Sequence, residues 1–152
     1  MKDNKLEVSA LKDGTVIDHI PADSLFNVMN ILNLGHIKGM MTFGTNLDSN
    51  RLGKKAIIKL SDVYFKEKDI NKIALVAPQA KLNVIKEYVV VEKQELSIPD
   101  NVEAIVKCMN PNCITNHEVV TTKFQVVNKE SIQLRCHYCE KITDKAHMEI
   151  LK

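Results

Sequence analysis

The chain has 152 residues, 45% of them hydrophobic and 26% charged, with a formal net charge of +2. Those proportions fit one ordinary domain or two small ones and exclude a fibrous or disordered chain. No apolar run approaches the roughly 20 residues that a bilayer-spanning helix needs, so no membrane association is expected.

In chain order, the opening Met-Lys-Asp-Asn-Lys-Leu-Glu has no apolar stretch behind its lysines. No secretory signal is expected, and the chain reads as cytoplasmic. Thr15–Ile20 follows a Lys-Asp-Gly turn and is β-branched, which predicts a strand ended by Pro21. Asp23 or Ser24 can cap a helix over 24–34, with Leu25, Val28, Met29 and Leu32 on one face and Gly35 closing it. Met40–Leu47 and Lys55–Leu60 flank the polar turn 48–53 as a hairpin would. A second helix is predicted over 67–77, followed by strands at 81–86 and 88–93. The order β-α-β-β-α-β-β is close to the split βαβ pattern. It predicts an α+β, ferredoxin-like antiparallel sheet with both helices on one face and the other face open.

Leu96-Ser-Ile-Pro-Asp-Asn101 is the candidate boundary between domains 1–98 and 99–152. Beyond it strands are expected at 102–106, 120–127, 132–135 and 145–150, a small all-β module. All four cysteines lie in this part, as Cys108-x₄-Cys113 and Cys136-x₂-Cys139. In a reducing compartment, paired spacings of this kind indicate metal or redox chemistry in place of disulfides. Short loops let two sulfurs reach one ion, and four sulfurs close a tetrahedral Zn²⁺ shell with no position for water or substrate. One structural Zn²⁺ is therefore expected. A segment this small buries too little apolar surface to fold without such a staple. The competing reading, a redox Cys-x-x-Cys, does not need the second pair. His117 and His137 lie near the ligands and read as surface residues.

Partner chemistry is narrowed by charge. Residues 1–98 hold 14 Lys/Arg against 12 Asp/Glu, and residues 99–152 hold 7 against 7. With no Trp, three Tyr and four Phe, the chain offers neither a basic track nor a stacking platform, so no nucleic-acid partner is expected. Residues 1–98 contain no phosphate-binding glycine loop and no nucleophile elbow, so no catalytic residue is assigned. Asp18 and His19 are neighbours on a predicted strand and should point to opposite faces, which would keep them from forming a dyad. Lys59 and Lys93 sit inside apolar strand segments, either blunting an edge or facing phosphates from the open sheet.

Gly14-Thr-Val-Ile-Asp-His-Ile-Pro21, Ala77-Pro-Gln-Ala80 with Asn83, and Cys-x₄-Cys-Ile with Cys-x-Tyr-Cys-Glu-Lys141 resemble the regulatory chain family of aspartate carbamoyltransferase over the whole length. The resemblance implies a non-catalytic subunit of pyrimidine biosynthesis. Its N-terminal domain would bind CTP as inhibitor and ATP as activator. Its zinc domain would dock onto the catalytic chain. The implied assembly is two catalytic trimers bridged by three regulatory dimers. Carried over by residue, the nucleotide site comprises Leu11, Val16, Asp18, His19, Lys59, Asn83, Ile85, Tyr88, Val90 and Lys93. Lys93 and His19 suit the triphosphate, Asp18 and Lys59 the ribose and base region, and the main chain at Leu11, Ile85 and Tyr88 the base edge. Docking is expected on Asn110, Pro111 and Asn112 and on Glu140 and Lys141. Ser9 departs from a glutamate of the family pattern, and Met109-Asn-Pro-Asn112 rearranges its proline and asparagine positions.

Overall fold

A computed structural model describes residues 10–151, so Ser9 lies outside the described residues. Strand β1, Gly14–Pro21, buries Ile17 and Ile20 completely. Residues three apart face opposite sides of a regular strand. A bulge between Ile17 and Ile20 absorbs one residue, with His19 in a left-handed backbone (φ 58°), and this returns both isoleucines to the core. The expectation that Asp18 and His19 diverge is thereby corrected. The His19 N–H donates to Asp18 Oδ1 at 2.6 Å, while the ring Nδ1 stays 3.9 Å from that oxygen, beyond hydrogen-bond reach.

Helix α1, Leu25–Ile31, is shorter than the predicted 24–34. Ser24 stands at its N-cap without capping it, because its Oγ donates to the Val76 carbonyl at 3.2 Å. The helical stretch stops at a left-handed Asn33 (φ 57°) and not at Gly35, a role asparagine tolerates better than other side chains. Strands β2 (Met41–Ser49) and β3 (Gly53–Ser61) extend the predicted hairpin toward its turn. There the Ser49 Oγ accepts the N–H groups of Arg51 and Leu52 at 3.3 and 3.2 Å. Helix α2, Glu67–Ile70, continues as a 3₁₀ turn to Leu75. Strands β4 (Lys81–Lys86) and β5 (Val89–Gln94) follow, joined by a two-residue turn with Glu87 and Tyr88 both at positive φ.

These strands form one antiparallel sheet in the order β2-β3-β1-β4-β5. The first four follow the split βαβ arrangement, and β5 extends the edge. Ile17, Ile58, Leu60 and Leu82 from the strands meet Leu25, Val28, Ile70 and Ile73 from the helical side in one core. Among the described residues, no helix covers the opposite face of the sheet.

Gly14 fixes how closely β1 approaches β3. Its φ of 143° and its contact with Leu60 leave no room for a side chain, since a Cβ there would lie 1.9 Å from the Leu60 carbonyl oxygen. Gly14→Ala is expected to destabilise the chain by about 3 kcal/mol or more. Gly35→Ala, where a Cβ meets nothing within 4 Å, serves as the near-neutral comparison. Urea midpoints measure both, and equal midpoints would mean the β1–β3 spacing is soft.

The C-terminal part is all-β, as expected, with different strand limits. The predicted strand 102–106 is broken by Ala104 (φ 62°), whose N–H turns to the Thr122 carbonyl at 2.9 Å. The halves become β6 (Asn101–Glu103) and β7 (Val106–Lys107), in different sheets. Strand β8, Lys123–Asn128, starts later than the predicted 120, although Thr122 and Phe124 keep the inward phase. Strands β9 (Gln133–Cys136) and β10 (Ile142–Asp144) follow. The first half of the predicted strand 145–150 is a 3₁₀ turn, because Asp144 accepts the His147 N–H at 3.0 Å, and only β11 (Glu149–Ile150) forms a strand. One sheet runs β10-β9-β8-β6 and a second pairs β11 with β7. Their core holds Val102, Val106, Phe124, Leu134 and three of the cysteines. Leu75 joins it from the N-terminal part.

Candidate functional site

Strand β7 runs directly into Cys108, and the loop after it returns the chain to Cys113. Cys136 ends β9 and Cys139 lies on the turn leading to β10. All four Sγ atoms lie within 4.8 Å of one another. Cys108–Cys139 is 3.6 Å and Cys113–Cys136 is 3.7 Å. Zn–S bonds of about 2.3 Å put tetrahedral sulfurs about 3.8 Å apart, so the cluster has the size the metal requires. The separations are far longer than a disulfide bond, and the four cysteines are free.

The surrounding backbone is arranged to receive negative sulfur. The Asn110 N–H points to Cys108, the N–H groups of Cys139 and Tyr138 to Cys136, and the Lys141 N–H to Cys139. The Thr115 hydroxyl donates to Cys113 Sγ at 3.2 Å. Glu140 takes a left-handed backbone (φ 63°) and its N–H returns to the Cys136 carbonyl at 3.0 Å, closing the Cys136–Cys139 turn. Asn116 Nδ2 holds the other loop through the Cys108 and Asn110 carbonyls at 3.0 and 2.7 Å.

The thiols differ. Burial pushes Cys108 well up, against the Asn110 N–H, and burial also raises Cys136. Burial opposes ionisation of Cys139 too, but the Asn110 side chain, the Lys141 N–H and the Cys108 thiol bring it down to about 7. Buried sulfurs so close together can all become thiolates only beside a cation that repays the desolvation. A metal would hold these four sulfurs and supply folding energy. His117 and His137 are exposed.

On the open face of the first sheet, cross-strand register lines up one row. Lys59 on β3 pairs with Val16 on β1, Val16 with Asn83 on β4, and Asn83 with Lys93 on β5. Lys59 is therefore interior and not an edge lysine. Burial lowers its ammonium pKa while Asp18 opposes that shift. Asp18 accepts from Lys55 at 3.1 Å as well as from the His19 N–H. Asp18, His19, Asn83, Val90 and Lys93 share one cleft of 540 Å³. Ile85 and Tyr88 lie at the far end of the β4–β5 hairpin. There the Tyr88 N–H bonds the Lys12 carbonyl at 2.9 Å and draws the Leu11 segment alongside. Leu11, Val16, Lys59, Ile85 and Tyr88 do not line the cleft itself.

Sequence reasoning missed Lys55, Arg51 and Lys81. Lys55 pairs with Pro21 only because of the bulge in β1, and Arg51 stands in a turn whose direction no local pattern sets.

Together these features define an α+β protein with an open, cation-bearing sheet face and a closed four-sulfur metal centre. Family models agree with that class. The model described as aspartate carbamoyltransferase regulatory chain, allosteric domain, matches residues 6–97, and its metal binding domain matches residues 100–149. The chain is similar to the aspartate carbamoyltransferase regulatory chain of Bacteroides fragilis, at 51% identity over 99% of this chain and 100% of the relative. It is also similar to that of Pyrococcus abyssi, at 50% over 93% and 94%. The chain belongs to the family of aspartate carbamoyltransferase regulatory chains, and it is a non-catalytic subunit with an allosteric and a metal-binding domain. A catalytic chain is accordingly its partner. Among the described residues no helix is long and apolar enough to cross a membrane.

Proposed function

We propose that this chain is the allosteric subunit that lets CTP inhibit and ATP activate an aspartate carbamoyltransferase. Residues 1–98 bind the nucleotide and residues 99–152 dock to the catalytic chain. The observation that carries the nucleotide reading is the cross-strand row Lys59–Val16–Asn83–Lys93 beside the cleft at Asp18 and His19. That row offers cations, an amide and an apolar floor on a face without helices, which suits a phosphorylated base. Leu11, Ile85 and Tyr88 at the hairpin end complete the base edge, with Val90 between. Calorimetry of the full chain with CTP and ATP tests the site, and absence of binding by either would refute it.

The metal is zinc, held by Cys108, Cys113, Cys136 and Cys139, a reading supported by the sulfur spacing and by an all-thiolate donor set. The assembly is two catalytic trimers bridged by three regulatory dimers, in the cytoplasm, where thiols stay reduced.

Docking falls on Pro111 and Asn112 and on Glu140 and Lys141, all exposed on loops tied to the sulfur centre. Asn110 is half-buried and spends its carbonyl on Asn116, so it shapes the loop from within. A loop ordered before binding loses little entropy on docking. Asn112→Ala and Glu140→Ala are each expected to weaken capture of the catalytic trimer by the full chain roughly tenfold, since charge-assisted or buried polar contacts contribute about 1.5–3 kcal/mol. Undiminished capture with both variants would move the interface elsewhere.

A further inference from the structure

The two cysteine loops are fixed by different means. Cys136 and Cys139 sit at the turn between two paired strands, β9 and β10. Backbone closes that turn: the Cys136 N–H donates to the Lys141 carbonyl and the Glu140 N–H to the Cys136 carbonyl, both at 3.0 Å. The Cys108–Cys113 loop instead leaves β7, a strand of two residues, and runs into a 3₁₀ turn at Ile114–Asn116. Inside it the backbone supplies the Cys113 N–H to the Asn110 carbonyl at 3.0 Å. The rest of its anchoring falls to side chains.

Asn116 provides that anchoring. Its own N–H bonds the Cys113 carbonyl at 2.9 Å, which fixes the residue against the second cysteine of the pair. Its half-buried side chain then donates from Nδ2 to the Cys108 carbonyl at 3.0 Å and to the Asn110 carbonyl at 2.7 Å. Carbonyl oxygens only accept, so the amide end facing both of them is the NH₂. Asn110 in turn reaches both halves of the centre. Its N–H points to Cys108, its side chain to Cys139, and its Oδ1 accepts the Asn112 N–H at 3.1 Å. Asn116 therefore holds the backbone of the residue that reaches two of the sulfurs.

We infer that Asn116 is a positioning residue of the metal centre, one that sets how long the ion is retained by clamping Cys108 and Asn110 in place. The inference rests on the zinc reading above and adds to it a residue that is not a ligand. Hydrogen bonds that orient ligands typically change metal affinity by about 10–100-fold when removed. Here the effect works through the first loop. With the Cys108 and Asn110 carbonyls released, Cys108 Sγ can swing away from Cys139 Sγ, 3.6 Å distant, and the shell opens to a competing chelator.

The test is the rate at which the zinc-loaded full-length chain gives up Zn²⁺ to an excess of a colorimetric chelator. Asn116→Ala is expected to release it about tenfold faster or more, and His117→Ala, at the exposed neighbouring position, within about twofold of wild type. Asn116→Asp keeps the shape but sets a carboxylate against two carbonyl oxygens, so it should release at least as fast as the alanine variant. Asn116→Gln keeps the N–H donors on a longer arm and should fall between wild type and alanine. Loaded with Co²⁺, wild type and variants should share the charge-transfer absorption of a four-thiolate shell, because the ligands are unchanged. Wild-type release rates from Asn116→Ala would overturn the inference, and so would wild-type rates from Asn116→Asp, which would show that filled space and not donation matters. If the alanine variant does not load, a glutamine variant no slower than the aspartate one overturns it instead. A variant Co²⁺ spectrum with thiolates missing also overturns it, by making Asn116 a determinant of the ligand set. If the wild-type chain retains no Zn²⁺ at all, the zinc reading itself falls.

Discussion

Stripping the metal from the full chain, or replacing Cys139 by alanine, is expected to unfold residues from about 102 onward while the five-stranded sheet persists. The C-terminal core is small: Val102, Val106, Phe124 and Leu134 are its main apolar members, and three cysteines occupy much of the rest. A core of that size supplies roughly 3–5 kcal/mol at most, whereas apparent zinc binding in small finger peptides reaches about 10–16 kcal/mol. Without the ion, the raised Cys108 and Cys136 thiols remain protonated, and the loops 109–112 and 137–141 lose what holds them together. The first sheet has its own core from Ile17 to Leu82 and contains no cysteine. Its cost is the partial exposure of Leu75, which packs into the second core, and of Ile31 and Val76, which pack against it. Acidification acts in the same direction as chelation, because protons compete with the metal for sulfur, so the module's stability falls as pH falls. Residue-resolved hydrogen exchange measures the effect, and full protection of β8 and β9 in metal-free protein would contradict it.

Lys93→Ala is expected to weaken CTP and ATP alike, by about tenfold or more, because in the proposed site it removes a charge set against phosphate and not base. Its side chain is exposed on the edge strand β5, so the substitution leaves the core untouched. The position of Lys93 opposite Asn83 in the central row means that CMP and AMP should lose affinity too. Unchanged titrations with both triphosphates would make Lys93 a solvated edge lysine of the kind that protects sheets from pairing.

The two kinds of site were legible to different depths. The sulfur centre was visible in four positions and two spacings, because short Cys-Cys loops constrain geometry wherever they occur. The proposed nucleotide residues came from family motifs, since a sheet face is assembled from four strands that are distant in sequence. Composition and periodicity left Lys59 undecided between edge and ligand roles. Only the strand order, with β3 between β2 and β1, made it interior.

By itself the sequence determined the order of elements up to β5, the α+β class, the inward phase of most strands and the identity of the sulfur cluster. All of these follow from local periodicity or short spacings, whose physics involves neighbours along the chain. Tertiary structure decided the bulge at Asp18–His19, the break at Ala104 and the left-handed turns at Asn33 and Glu140. It decided too that Arg51, Lys81 and Lys93 share one cleft. None of these residues is a glycine that would have advertised a positive φ. Their conformations arise because burying Ile17 with Ile20, or closing a turn around Cys136 and Cys139, repays a local strain of about 1–3 kcal/mol that no window of neighbouring residues reveals.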